Sequence, residues 1–147
     1  MKNFLSHWLA KTAEAQKPSR PILTDILKTM REGVIVIAAD TGIIASNQAA
    51  YDAFARGNDA LETKRLSEAI RDLTVHEAFR RALEEQKSAE INFEVLTGEK
   101  RSFELRVAPI EIEGEAAAAI GIFYDRTQIE RLEKIRQEFL SNVSHEL

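Results

Sequence analysis

The side chains best suited to chemistry at neutral pH in this chain belong to three histidines, His7, His76 and His145. An exposed, neutral imidazole nitrogen can ligate a metal or accept a phosphoryl group that is aligned with it. His145 is followed by the carboxylate of Glu146, although a His-Glu pair on a helix more often belongs to a solvated face. The residues around each histidine must therefore decide between these interpretations.

The composition of the chain excludes several kinds of site. It contains no cysteine, so disulfides, thiolate metal sites, cysteine nucleophiles and flavin–thiol photochemistry are ruled out. No His, Asp and Glu residues show the spacing of metal ligands, so we expect no metal site. The formal net charge of −4 argues against a nucleic-acid partner, which would require a basic surface.

The string FLSNVSHEL at 139–147 favours phosphoryl chemistry. It resembles the start of the phosphoacceptor box of bacterial sensor histidine kinases, of the phosphate-regulon sensor type. The resemblance implies that His145 accepts a phosphoryl group from ATP and that Glu146 orients or helps to deprotonate its imidazole. It also implies ATP and Mg²⁺ as cofactors of the full kinase, and a response regulator as its partner.

The sequence departs from that family at its end. The box normally continues with Arg-Thr-Pro-Leu or similar, whereas this sequence stops two residues after His145. The second helix of the dimerisation hairpin and a glycine-rich ATP lid do not follow. We therefore expect a fragment of a histidine protein kinase that holds no cofactor itself and is inactive alone.

The rest of the chain must position that box, and its pattern predicts a series of short elements. A helix with one apolar face follows Pro21, and a hairpin joins strands at 34–38 and 43–45 across an Asp-Thr-Gly turn. Asn47 is the expected cap of the next helix. Short helical pieces then precede a longer helix opened by Thr74, whose Thr-x-x-Glu spacing is typical of a capping box. Period-two alternation predicts two more strands between 89 and 110. After a turn at Glu113-Gly114, an apolar run at 117–124 predicts a third, in which Gly121 indicates a bulge or a close backbone approach.

This order predicts an α+β fold, with a five-stranded antiparallel sheet, helices on one face and a long C-terminal helix. It resembles a PAS domain over 21–126. The cues are EGVIV at 32–36, SNQAA at 46–50 and DRT at 125–127. Residues 1–20 are expected to form an amphipathic helix and linker, and residues 127–147 the connector helix and the start of the phosphoacceptor region.

Asp125 and Thr127 form the expected signal junction. The PAS resemblance implies that this Asp and Thr tie the last strand to the outgoing helix. Thr127 and Glu130 also have the spacing of a capping box, which would merely start that helix. The sequence does not separate the two roles.

The PAS resemblance also implies a ligand space between the sheet and the helices. Its predicted lining is largely apolar and consists of Val36, Tyr51, Phe54, Phe79, Ile91, Phe93, Leu105 and Ile122. A filled core without a ligand is the alternative. Some PAS domains hold haem through a histidine on the matching long helix, but His76 lies in the first turn beside Glu77, where a surface histidine is expected.

Apolar residues recur every three or four positions in the last helix. They are Ile129, Leu132, Ile135, Phe139, Val143 and Leu147. A stripe of this kind must be buried, and the simplest solution is a parallel homodimer through residues 127–147. A basic amphipathic helix predicted over 1–17, with Phe4 and Trp8, would add packing or a weak membrane-surface contact.

Together these features predict the sensory and dimerisation part of a two-component histidine kinase. The PAS domain would relay a signal through a coiled-coil-like helix to the phosphoacceptor His145. The alternative is a stand-alone PAS ligand-binding or dimerisation module without a catalytic role. Because no apolar stretch reaches the ~20 residues needed to span a bilayer, we expect a cytoplasmic location, or the cytoplasmic side of the inner membrane for a fragment of a membrane kinase.

Overall fold

The computed structural model describes residues 20–147. The elements are α1 Arg20–Thr29, β1 Gly33–Ala38, β2 Ile43–Ser46, α2 Gln48–Phe54, a 3₁₀ helix Leu61–Thr63, α3 Leu66–Ala69, α4 Leu73–Glu85, β3 Ala89–Val95, β4 Arg101–Ile110, β5 Ala118–Asp125 and α5 Thr127–Glu146. The helix predicted over 1–17 lies outside the described residues.

All five strands form one antiparallel sheet in the order β2-β1-β5-β4-β3. The chain makes the β1–β2 hairpin, crosses the sheet through its helices and returns as the β3–β4–β5 meander. Strand β5 lies in the centre and pairs with both β1 and β4. The predicted α+β fold is therefore confirmed, and the long C-terminal helix leaves directly from the central strand.

The main core lies between the sheet and helices α2 to α4. Alternate residues of each strand point into it, among them Ile35 and Ile37 from β1 and Phe103 and Leu105 from β4. Four phenylalanines pack at its centre, with the ring of Phe54 between 4.9 and 6.4 Å from those of Phe93, Phe103 and Phe123. This aromatic packing fixes the helices on the sheet.

A smaller apolar cluster covers the other face of the sheet. It consists of Val34, Ala108 and Ile120, and Leu27 and Met30 at the end of α1 pack against it. Helix α1 therefore contacts the sheet from the side opposite to α2 to α4.

Gly121 allows α4 to approach the sheet closely, as its position inside an apolar strand predicted. A Cβ atom at this position would lie 2.4 Å from Cζ of Phe79 and 3.1 Å from Cδ1 of Leu105. No side chain fits there, so Phe79 packs directly over the backbone of the central strand.

Asn47 was predicted only as the cap of α2, but its side chain joins four segments. Its Oδ1 accepts from the backbone N–H groups of Ala50, 3.0 Å, and Val34, 2.9 Å. Its Nδ2 donates to the carbonyl oxygens of Glu32, 2.8 Å, and Leu27, 3.1 Å. The side chain is buried and uses all its hydrogen-bonding capacity, so it fixes α1, β1 and α2 relative to one another.

The predicted start of α4 was wrong by two residues. Asp72 caps the helix, with its Oδ1 accepting from the backbone N–H of Val75 at 3.0 Å. Asp is as good a cap as Thr and stands two residues earlier, so Thr74 becomes part of the first turn. Glu77 does not reach back to form a capping box, because its carboxylate is paired with Arg80 at 2.6 Å.

Candidate functional site

The end of β5 is tied to the start of α5 by the side chain of Asp125. Its Oδ1 accepts hydrogen bonds from the backbone N–H of Thr127, 2.9 Å, and from the Thr127 hydroxyl, 2.6 Å. Its Oδ2 accepts from Nη2 of Arg101 at 2.6 Å and from Nε of the same side chain at 3.2 Å. The two residues expected at the junction are thus in direct contact, and a third, Arg101, holds them.

The backbone of β4 adds two further ties. The N–H of Ser102 donates to the Thr127 hydroxyl at 2.9 Å, and the Ser102 carbonyl accepts from the N–H of Arg126 at 2.8 Å. The predicted capping box of Thr127 and Glu130 is not formed, since the N-cap residue is Arg126 and makes no side-chain cap. The Thr127 hydroxyl is already occupied by Asp125 and Ser102.

Arg101 and Ser102 were not predicted, because their place depends on strand register. Phe103 is the partner of Asp125 across β4 and β5, and Arg101 lies two residues earlier on the same face. A turn was predicted at Glu113-Gly114, between these strands. The sequence does not show how many residues the turn contains, and the register of the two strands depends on that number. We call Arg101, Ser102, Asp125 and Thr127 the junction cluster.

The junction cluster lowers the pKa of Asp125. Partial burial opposes this by raising the pKa, but it is outweighed by the Thr127 hydroxyl, the Arg101 guanidinium and the Thr127 backbone N–H, all of which favour the charged form. The carboxylate therefore stays ionised at neutral pH and keeps both of its oxygens as acceptors.

Helix α5 extends about 30 Å from the junction cluster, and none of its residues is buried. Its apolar stripe is exposed, with exposed fractions from 40% at Val143 to 64% at Phe139 within the helix and full exposure of Leu147 after it. His145 is also exposed, and a turn of 100° per residue puts it about 160° around the helix from Ile129 and Val143, and about 80° from Ile135 at the edge of the stripe. A second helix packed against the stripe would therefore leave the imidazole accessible.

The predicted pocket residues do not share one cavity. Phe54, Phe79, Phe93 and Leu105 are buried in the main core, and Tyr51 and Ile91 pack against it. Val36 and Ile122 belong to the cluster on the opposite face, so their inclusion was wrong. Both faces of β1 and β5 are apolar, and the alternation of the sequence therefore did not show which residues point toward the helices.

Comparison with known proteins agrees with this architecture. The sequence profile of the PAS fold matches residues 27–131. The chain belongs to the PAS fold family. No protein with a curated description matches the sequence.

Solved PAS domains show the same fold at low sequence identity. The PAS domain of BvgS from Bordetella pertussis is 21% identical, with a TM-score of 0.58, and the match covers 86% of this chain and 97% of that one. The PAS domain of nitrogen regulation protein NR(II) from Vibrio parahaemolyticus is 21% identical, with a TM-score of 0.57 and coverages of 73% and 98%. A sensor region of a sensor histidine kinase is 25% identical, with a TM-score of 0.50 and coverages of 67% and 40%.

The PAS domain also has an open cleft of about 600 Å³ beside the junction cluster. It lies between the end of α2, the α3–α4 connection and the edge strand β3. Two residues of the predicted pocket, Phe54 and Phe93, line it together with Ile70 and Val95. Arg101 lines it too, so this side chain belongs to both the cleft and the junction.

His76 makes a local contact in the PAS domain. Its Nε2 lies 2.6 Å from the carbonyl oxygen of Ile70, and because a carbonyl can only accept, Nε2 carries the proton. The ring thereby joins α4 to the segment that follows α3. A haem ligated through Nε2 would have to break this hydrogen bond.

Within residues 20–147, no helix combines the length and the apolar content needed to cross a bilayer.

Proposed function

We propose that this PAS domain is the sensory and dimerising part of a two-component histidine kinase, of the phosphate-regulon sensor type, and that it controls phosphoryl transfer to His145. The observation that carries the proposal is the junction cluster, in which hydrogen bonds link the central strand to an exposed helix that bears the phosphoacceptor-like string. The similarity to a sensor region of a sensor histidine kinase supports the same class.

The junction cluster suits a relay because it joins two rigid elements without a flexible linker. Helix α5 begins two residues after the end of β5. Asp125 accepts hydrogen bonds from Arg101 of β4 and from Thr127 of α5. A change in the sheet or in Arg101 would therefore shift the base of α5. Over a helix of about 30 Å, a small rotation at the base becomes a larger displacement near His145.

The proposed output is a change in the pairing of α5 with its copy. Burying one apolar side chain of the stripe contributes roughly 1.5–3 kcal/mol, and several of them together can offset an association cost of ~4–15 kcal/mol. A parallel pair would place two His145 side chains on its outer surface. In this proposal ATP and Mg²⁺ bind to an ATP-binding domain, Glu146 orients the imidazole, and a response regulator takes the phosphoryl group.

The proposed location is the cytoplasm, or the cytoplasmic side of the inner membrane, because ATP and response regulators are found there.

Labelling with ATP tests this function. The chain is extended at its C-terminus by the rest of a phosphoacceptor hairpin and an ATP-binding domain, and is incubated with γ-labelled ATP. We expect acid-labile label that His145→Gln abolishes. His76→Gln is the matched control and should keep the label. Equal labelling of the His145→Gln protein would contradict the proposal.

A further inference from the structure

Three arginines meet in the cleft beside the junction cluster. Arg56, Arg71 and Arg101 line it, whereas its acidic residues are only Asp72 and Glu94. They lie just after α2, in the α3–α4 connection and at the start of β4. Segments distant in sequence thus bring three arginines to one opening.

Both acidic residues are already engaged. Asp72 caps α4, and Glu94 pairs with Lys100 at 3.1 Å. Among residues 20–147, no carboxylate lies within ion-pair distance of Arg56 or Arg71. Nη2 of Arg56 donates a hydrogen bond to the hydroxyl of Thr97 at 3.2 Å. Arg56 and Arg71 therefore carry positive charge that no ion pair within these residues neutralises, whereas Arg101 is paired with Asp125.

Apolar side chains form another part of the cleft. Phe54, Ile70 and Phe93 are buried residues that form part of its wall, and Val95 and Leu96 of the β3 end complete it. Guanidinium groups bind carboxylates through two parallel hydrogen bonds, and the apolar wall suits a hydrocarbon or aromatic body. The geometry points to a small organic carboxylate with an apolar body as the ligand of this cleft, and to competition between that ligand and Asp125 for Arg101.

Competition arises because the same residue, Arg101, is available to both partners. Arg101 donates through Nη2 and Nε to Asp125 while its side chain lines the cleft. A ligand carboxylate attracts the same cation and weakens the Asp125 ion pair. The coupling is reciprocal, so loss of the Asp125 charge must strengthen ligand binding by the same factor. The competition for Arg101 rests on the proposed function, because it makes the ligand a signal that acts on the junction cluster.

Three probes distinguish binding through the carboxylate from binding through the apolar part of the ligand. Hexanoate, hexan-1-ol and inorganic phosphate are titrated into the labelled chain, and amide shifts are followed by NMR. We expect hexanoate to shift Leu96, Thr97 and Thr127 in a saturable manner, with a dissociation constant on the order of 1 mM. Equal binding of hexan-1-ol would overturn a role for the arginines, and equal binding of phosphate would overturn a role for the apolar wall.

Variants decide where the probe binds. Arg56→Gln with Arg71→Gln should weaken hexanoate binding by about tenfold or more, while Arg81→Gln, an arginine of α4 outside the cleft, should leave it unchanged. Unchanged binding in the double variant would overturn the site.

Asp125→Asn should bind hexanoate about fivefold more tightly. Unaltered affinity in Asp125→Asn would overturn the competition, whereas the His145 labelling test would still judge the proposed function separately.

Discussion

At the scale of single residues, Asn47 shows how one polar side chain can organise several elements. Its amide satisfies two backbone donors and two backbone acceptors, and it is only 6% exposed. An aspartate at this position could not donate to the carbonyls of Leu27 and Glu32. A shorter side chain would leave all four backbone groups without this partner, and buried groups of that kind are costly.

Asn47→Ala should therefore lower the free energy of unfolding by about 2–4 kcal/mol. Urea denaturation measures this as a lower midpoint at an unchanged slope. Asn92→Ala is the matched control, because Asn92 is exposed on β3, and it should change stability by no more than about 0.5 kcal/mol. Equal midpoints for the two variants would show that the Asn47 network contributes little.

Asp125 predicts a pH dependence at the junction. Its pKa is lowered in the folded state, so the stabilisation is complete above the ordinary aspartate value, near pH 4. It is lost as the pH falls through the lower, folded value. The amide shift of Thr127, which donates to Asp125, should report this titration. Its midpoint should rise in Arg101→Gln, since one cause of the lowering is removed, and an identical midpoint would contradict the role given to Arg101.

At the scale of elements, α5 carries an apolar stripe that no other element of the described chain buries. The residues between the stripe and His145 around the helix are polar, and they include Gln137 and Ser141. The helix thus has one face suited to a partner helix and another suited to solvent. A parallel homodimer through the stripe satisfies both faces at once.

Leu132→Asp with Phe139→Asp should give a folded monomer, because two buried charges would oppose the pairing of the stripes. Sedimentation equilibrium should show a dimer for the unmodified chain, dissociating at low micromolar concentration, on the order of −8 kcal/mol. Gln137→Asp with Ser141→Asp adds the same charge outside the stripe and should remain dimeric. A mass that is unchanged in the Leu132 and Phe139 variant would place the interface elsewhere.

The sequence predicted the elements well where local chemistry decides them. The β-branched run of β1, the Asn47 cap and the period-two strands β3 and β4 were all visible in the sequence. It failed where two equal local solutions compete, as with Asp72 and Thr74 at the start of α4. It also failed where tertiary geometry decides, because neither the face of Val36 and Ile122 nor the register that brings Arg101 to Asp125 is a local property.

At the scale of the whole molecule, the parts lie in an order that suits a relay. The proposed cleft is at one end of the sheet, the junction cluster borders it through Arg101, and α5 leaves from that same end. A ligand in the cleft would therefore act on the base of α5 without any change in the main core. The proposed relay requires that the junction cluster controls how α5 pairs with its copy.

Spin-label distance measurement on α5 tests that claim most directly. The chain has no cysteine, so Ser141→Cys introduces a single label on the polar face of the helix. Pulsed electron paramagnetic resonance should give one narrow distance between the two copies of the dimer, and Asp125→Ala in the same background should broaden or displace it. The same narrow distribution with and without Asp125 would contradict control of the helix by the junction cluster.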